Sequence, residues 1–226
     1  MQPIRPERLS QIETERPAIY VGRPDEMCKD FAMTYLANGL NDFTVRRFEE
    51  ALEVYEANLQ WAMRRTTDTS HLLSLKGNIA NVMVEANKVE EGIARMRANF
   101  AEGQSEFGPE HKETLITAND LCGALISVED YAGCKQFIQE NSLLDKVERN
   151  FGPDCVATFT SRRNLARALY LDEDASLDDT RRAIEILEDL SPRAHRLLGP
   201  TDPFPRRIQE NLDGAREELE YMTRDA

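Results

Sequence analysis

The sequence predicts an all-α fold made of repeated helix pairs, and three observations carry that prediction. Three short strings, Phe107-Gly108-Pro109, Phe151-Gly152-Pro153 and Leu198-Gly199-Pro200, each begin 14 residues before a similar anchor: Leu121, Leu165 and Leu212. From each anchor the pattern runs apolar, small, two variable, apolar, which is helical spacing. A second small residue then sets the register of a second helix, and from it to the next anchor the counts are 28, 29, 31 and 29. An interval that holds this constant across four copies is the mark of a repeat, which decides the fold before any local propensity does.

The elements follow in order. The first helices read Phe31/Ala32/Tyr35, the most degenerate copy, then Ile79/Ala80/Met83, Leu121/Cys122/Leu125 and Leu165/Ala166/Leu169. The second helices carry Ala51 with Tyr55, Gly92 with Met96, Cys134 with Ile138 and Ala183 with Leu187. Small residues at both crossing points let two antiparallel helices approach until ridges enter grooves. Each Gly-Pro string ends a unit, because Gly takes a left-handed cap and Pro prevents continuation. From anchor to second small residue the counts are 20, 13, 13 and 18, which puts insertions of 7 and 5 residues in the inner turns of the first and fourth units. A single closing helix is expected from about Pro205 to Thr223; it keeps the anchor Leu212 but has Asp213 and Arg216 where the others are small and apolar. A polar last helix keeps a solenoid end soluble. Residues 1–24, with Pro3, Pro6, Pro17 and Pro24, are expected to form an extended or flexible arm, and residues 25–226 the helical repeat domain.

This pattern resembles tetratricopeptide repeats. The long period, with Phe/Leu-Gly-Pro ahead of strings such as Arg163-Asn164-Leu165-Ala166, is similar to the kinesin light chain type, over roughly residues 25 to 224. Departures are Arg65-Thr66-Thr67 in place of the lead-in before the second unit, and Asp120 where Asn is usual. The resemblance implies a right-handed α-solenoid of about four helix-turn-helix repeats plus a C-terminal capping helix. It implies further that the first helices line a concave groove, and that an Asn just before each anchor clamps the backbone of an extended peptide, its amide offering both donor and acceptor. The matching residues are Asn78, Asn164 and Asn211, with Asp120 and Asp30 as departures; Asn81 and Arg167 lie one turn on, and Asn119 and Arg163 flank. Acids toward one end and arginines toward the other favour a ligand of mixed charge.

Composition narrows the function classes. The formal net charge is -13, from Lys+Arg 28 against Asp+Glu 41, so neither nucleic acid nor an anionic membrane surface is an expected partner. No apolar run approaches the ~18 residues of a membrane span, and no leader with an apolar core is visible. Cys28, Cys122, Cys134 and Cys155 are too few for a disulfide scaffold at this length and include no CxxC pair that would suggest zinc, so a reducing setting inside the cell, in the cytoplasm, is expected. Cys122 and Cys134 fall on the two crossing slots of one helix pair; they read as small hydrophobes, with a redox latch as the alternative. His71, His111 and His195 lie 40 and 84 residues apart without ligand-spaced partners, and read as solvated or capping groups. No phosphate-binding, zinc-protease or nucleophile-elbow motif is present, so no metal, cofactor or catalysis is expected. The acidic stretch holding Asp172, Glu173, Asp174, Asp178 and Asp179 reads as a solvated turn, or else as a contact for a basic partner.

The sequence therefore points to a non-catalytic scaffold that binds a protein or peptide segment in the groove of a repeat array. The alternative is an architectural subunit of a larger assembly, touching its neighbours through arm, ends and convex face.

Overall fold

The computed structural model describes residues 47–224. The expected arm, Cys28 and the first anchor copy with Asp30, Phe31, Ala32 and Tyr35 lie outside the described residues. The described chain is a succession of helices: α1 (Phe48–Met63), α2 (Thr69–Glu85), α3 (Val89–Phe107), α4 (Lys112–Ser127), α5 (Tyr131–Glu140), α6 (Leu143–Phe151), α7 (Val156–Tyr170), α8 (Leu177–Leu198) and α9 (Pro203–Arg224). The described residues fall into two compact units, divided inside α3 between Asn99 and Phe100.

In the first unit, α1 packs on α2. Ala51, Tyr55, Ile79 and Ala80 are all at most 1% exposed, as the small-and-large pattern requires. α2 begins where the Asp68 carboxylate accepts from the backbone N–H groups of Ser70 and His71, at 3.1 and 3.3 Å, satisfying donors that a helix start leaves open. The inner turn is short: Asn87 takes φ 64° and the Lys88 N–H returns to Met83 O at 2.8 Å. This turn lays the start of α3 on α2 so closely that a Cβ at Gly92 would stand 2.9 Å from Ala80 O and 2.7 Å from Val84 Cγ2. Gly92 and Ala80 are thus the facing slots of one crossing.

The second unit repeats the device. Glu129 has φ 64° and the Asp130 N–H reaches Leu125 O at 2.9 Å, so the turn from α4 to α5 copies the one before α3. Asp130 caps α5 through Gly133 N–H at 2.9 Å. The anchors Leu121, Leu165 and Leu212 are buried, and so are the small residues Cys122, Ala166, Cys134 and Ala183, each at 0% exposure. The closing helix α9 packs on α8 and α7, with Ile208, Leu212 and Ala215 buried and Asp213 and Arg216 exposed.

Three features depart from the sequence reading. The second helix of the α4 pair is broken: α5 stops at Glu140, Ser142 takes φ 47°, and α6 starts again with Leu143 and Val147 buried. The Asn141 amide caps the break by donating to Phe137 O at 2.9 Å. The Gly-Pro stops also differ from a left-handed cap. Gly152 (φ 88°, ψ 162°) and Gly199 (φ 77°, ψ 175°) lie in the extended positive-φ region that is essentially Gly-only. A threonine then fastens two of these stops: Thr114 Oγ1 donates to Gly108 O at 2.9 Å and Thr158 Oγ1 to Gly152 O at 2.6 Å. Finally, the insertion of the fourth unit is shared between loop and helix. The turn 171–176 replaces the three-residue turns 86–88 and 128–130, and α8 begins six residues before Ala183, whereas α3 and α5 begin three before Gly92 and Cys134.

Two glycine substitutions separate packing from propensity. Gly92→Ala is expected to destabilise by about 1–3 kcal/mol through overpacking. Nothing lies within 4 Å of a Cβ at Gly123, inside α4. Gly123→Ala is therefore expected to stabilise by about 0.5–1 kcal/mol through helix propensity. Urea denaturation of both variants checks the opposite signs.

Candidate partner-binding face

The residues singled out before the anchors lie on α2, α4, α7 and α9. On α2, within the first unit, Asn78 and Asn81 are half-buried one turn apart. On α4, the outward face of the second unit runs Ile116, Asp120, Gly123 and Ser127 at spacings of three and four. Ile116 is 40% exposed, and the space over Gly123 is open. Burial pushes the Asp120 carboxyl up to about 6. Cys122 beside it is fully buried.

On α7, Arg163 and Arg167 are one turn apart on the same side, with Asn164 between them and the core. Asn164 is 2% exposed, yet its Nδ2 has no hydrogen-bond partner among the described residues; neither has the buried Nε of Arg167. Arg163 donates from Nε to Asn211 Oδ1 on α9 at 2.7 Å, and its guanidinium lies 5.9 Å from the centre of the Phe204 ring. Burial, followed by the charges of Arg167 and Arg207, brings the Arg163 guanidinium down to about 10. Burial also raises Tyr170, which sits near Arg167 and hydrogen-bonds with Asn211, and it raises Tyr131, the first residue of α5, which feels both Glu129 and Arg167.

The structure thus brings Arg163, Asn164, Arg167 and Asn211 together. It gives Asn119 a different task. That side chain is buried, its Nδ2 donates to Ala157 O at 3.1 Å, and its Oδ1 accepts from the Ser161 hydroxyl, so the whole amide ties α4 to α7. Sequence reasoning missed Tyr131, Tyr170, Phe204 and Arg207. Arg207 carried a signal, since it stands four residues before Asn211 and therefore on the same helix face. The aromatic residues come from three separate helices and carried none.

The other candidates have structural occupations. Cys122 and Cys134 face each other across the crossing, and their mutual hydrogen bond, then burial, pushes the Cys122 thiol up. His111 caps α4, its Nδ1 accepting from Glu113 N–H at 3.3 Å, and stacks on Phe107 at 4.7 Å. In the acidic stretch, Asp172 binds Lys135 at 2.6 Å, Asp179 closes a capping box with Ser176, and Asp178 meets Arg181 at 2.9 Å; Glu173 and Asp174 face solvent. Among the described residues no three His, Cys, Asp or Glu side chains converge as a metal-binding group, and no helix is long and apolar enough to cross a membrane.

No protein-family model matches the chain, and no curated protein matches it. Solved structures do. The crystal structure of the Podosopora anserina putative kinesin light chain nearly identical TPR-like repeats superposes at TM-score 0.62 with 15% identity, covering 85% of this chain and 88% of that one. A singly substituted form of the same repeats gives TM-score 0.63, again at 15% identity, over 85% and 87% of the two chains. BtubC (BKLC) from P. vanneervenii gives TM-score 0.59 with 16% identity over 96% and 90%. The fold is that of TPR-like repeat structures of kinesin light chain type.

Two outcomes test this geometry. A carboxyl with a folded value near 6 and an ordinary value of 3.8 holds its proton more tightly in the native state. Stability from the neutral form is complete below the ordinary value and lost as pH rises through about 6. Asp120→Asn is therefore expected to stabilise at pH 7.5 by about 1–3 kcal/mol, at ~1.4 kcal/mol per pKa unit, and to be nearly neutral at pH 4. Urea midpoints at the two pH values check it. With both thiols buried, Cys122 and Cys134 are expected to react with Ellman's reagent only as fast as the native chain opens, well behind partly exposed Cys155.

Proposed function

We propose that this protein is a non-catalytic scaffold that binds a segment of a partner protein along the face of α4, α7 and α9; for the first unit, taken by itself, we propose Asn78 and Asn81 on α2 as partner contacts. The observation that carries the reading is the pair of buried donors, Asn164 Nδ2 and Arg167 Nε, without partners among the described residues. A buried donor left open costs about 1–3 kcal/mol, so two on one helix face are what a chain keeps when an outside acceptor completes them. The open space over Gly123 supports it from the neighbouring helix, because a glycine without a packing reason inside a helix leaves room for a backbone to come close. TPR-like folds in general mediate protein-protein interaction, and the side chains on this face supply hydrogen bonds and charge, not a nucleophile-base pair. Asn119 is left out of the contact set because its amide is satisfied internally. The three free cysteines of the described residues suit a reducing compartment, in keeping with a cytoplasmic partner.

Affinity capture from native lysate, with wild type compared to Asn164→Ala/Arg167→Ala and to Asn78→Ala, tests the proposal. The expected result is a protein held by wild type and lost by the α7 double variant, with both chains equally helical by circular dichroism. Recovery of the same proteins by every variant would overturn groove binding and favour an architectural subunit that meets its neighbours elsewhere.

A further inference from the structure

The face proposed above leaves the chemistry of its occupant open, and the following rests on that reading. On a chain of net charge -13, three arginines gather within the second unit: Arg163 and Arg167 on α7, and Arg207 on α9, whose charges both act on Arg163. Glu210 is the acidic side chain that offsets them there, and it is itself held by Arg206 at 3.3 Å. The partners that Arg163 does have are neutral, the Asn211 amide oxygen and the Phe204 ring. With Arg206 counted beside the Glu210 it holds, and Glu129 beside the Tyr131 on which it acts, four positive charges stand against two negative and leave an excess of two in a partly buried place. The groups around it are chiefly donors: Arg167 Nε and Asn164 Nδ2 are open, and the hydroxyls of Tyr131 and Tyr170 lie within electrostatic reach of Arg167. The acceptor on α9, Asn211 Oδ1, is already taken by Arg163.

We propose that the basin formed by Arg163, Asn164, Arg167 and Arg207 receives a phosphoryl group. A dianion matches an excess of two charges, whereas a carboxylate leaves one uncompensated and a peptide carbonyl leaves both. Phosphoryl oxygens are all acceptors, arranged to take several guanidinium, amide and phenol donors at once, and guanidinium forks fit them better than ammonium groups do. Burial of Arg163 strengthens the attraction by lowering the local dielectric, and at the same time keeps the empty basin electrostatically costly.

The test is an NMR titration of the full chain, following the Arg167 Nε–H resonance, with phenyl phosphate, inorganic phosphate and acetate at matched ionic strength. Both phosphates are expected to give a saturable shift, with acetate at least about tenfold weaker. Arg207→Gln, which sits on an exposed position of α9 and is followed by the same resonance, and separately Arg167→Gln, followed by the Arg163 Nε–H resonance, are expected to weaken phenyl phosphate about tenfold with unchanged helicity. Phenyl phosphate binding tighter than inorganic phosphate assigns the site to a phosphorylated side chain of the partner, and equal binding assigns it to the free anion. The proposal is overturned if neither phosphate shifts the resonance, if acetate matches them, or if both variants bind like wild type. Capture from phosphatase-treated lysate separates the two readings. A partner still held after treatment but lost by the Asn164→Ala/Arg167→Ala chain sinks the phosphoryl assignment and keeps the groove. A partner held by that double variant sinks the groove even where phenyl phosphate binds.

Discussion

Close approach of paired helices at small residues is the constraint on which everything else here depends. At the crossing of α2 and the start of α3 it is visible in ångströms, since the position of a missing Cβ at Gly92 is already occupied by Val84 and the Ala80 carbonyl. Cys122 with Cys134, and Ala166 with Ala183, occupy the same slots further on, and none is exposed. Because backbones meet there, the large residue four positions on, Met96, Ile138 or Leu187, is driven into the layer beneath. Each is at most 5% exposed, and burying such a side chain contributes about 1.5–3 kcal/mol. The cysteines belong to this packing logic. A thiol is a small hydrophobe of about the right size, and the hydrogen bond between the two satisfies both without water.

The inner turns and the unit ends hold that spacing in register. Asn87 and Glu129 adopt the same left-handed conformation 42 residues apart, one tolerant of it and one not, so the demand comes from the turn and not from the residue. At the unit ends, glycine accepts an extended positive-φ conformation and a buried threonine six residues on bonds its carbonyl. Across α6, α7 and α8, Arg162 bridges Glu148 at 2.6 Å and Asp189 at 3.2 Å, while Arg193 joins Asp189 and Asp154 at 2.5 and 2.8 Å. Exposed pairs of this kind contribute little one at a time, about 0–1 kcal/mol each. They orient helices whose apolar faces have already been placed.

What was legible in the sequence is what repeats. Ile79, Leu121, Leu165 and Leu212 were all identifiable as buried anchors because packing imposes one pattern on every copy. The break between α5 and α6 was not, because it depends on a single left-handed serine and an asparagine that bonds back to its own helix, neither of which differs from an ordinary surface pair in one sequence. The face before the anchors was legible as a set of polar residues, but not which of them are free. Asn119 and Asn164 look alike in the sequence and are both buried, yet one has its whole amide engaged between α4 and α7 while the other keeps an open donor. That difference is decided by what the next helix presents, Ala157 and Ser161 in the first case, and no spacing rule within α4 contains it.

The arginine basin is the place where local stability is given up. Gathering Arg163, Arg167 and Arg207 costs repulsion, and burial lowers the Arg163 value in the same direction. The surface elsewhere resolves such charges easily: Arg95 meets Glu56 and Glu91 at 2.9 and 3.1 Å, and Arg216 meets Glu188 at 2.5 Å. With acids outnumbering bases 41 to 28, a carboxylate partner for Arg167 would be cheap to supply. Instead its neighbours are an arginine, an asparagine with an open donor and two tyrosines. In a repeat fold, where each helix pair is held chiefly by its neighbours, such a cost stays local, since the crossings behind it carry the stability. The separation is physical: small residues at the crossings hold the fold, which frees the side chains one turn away from the demands of packing.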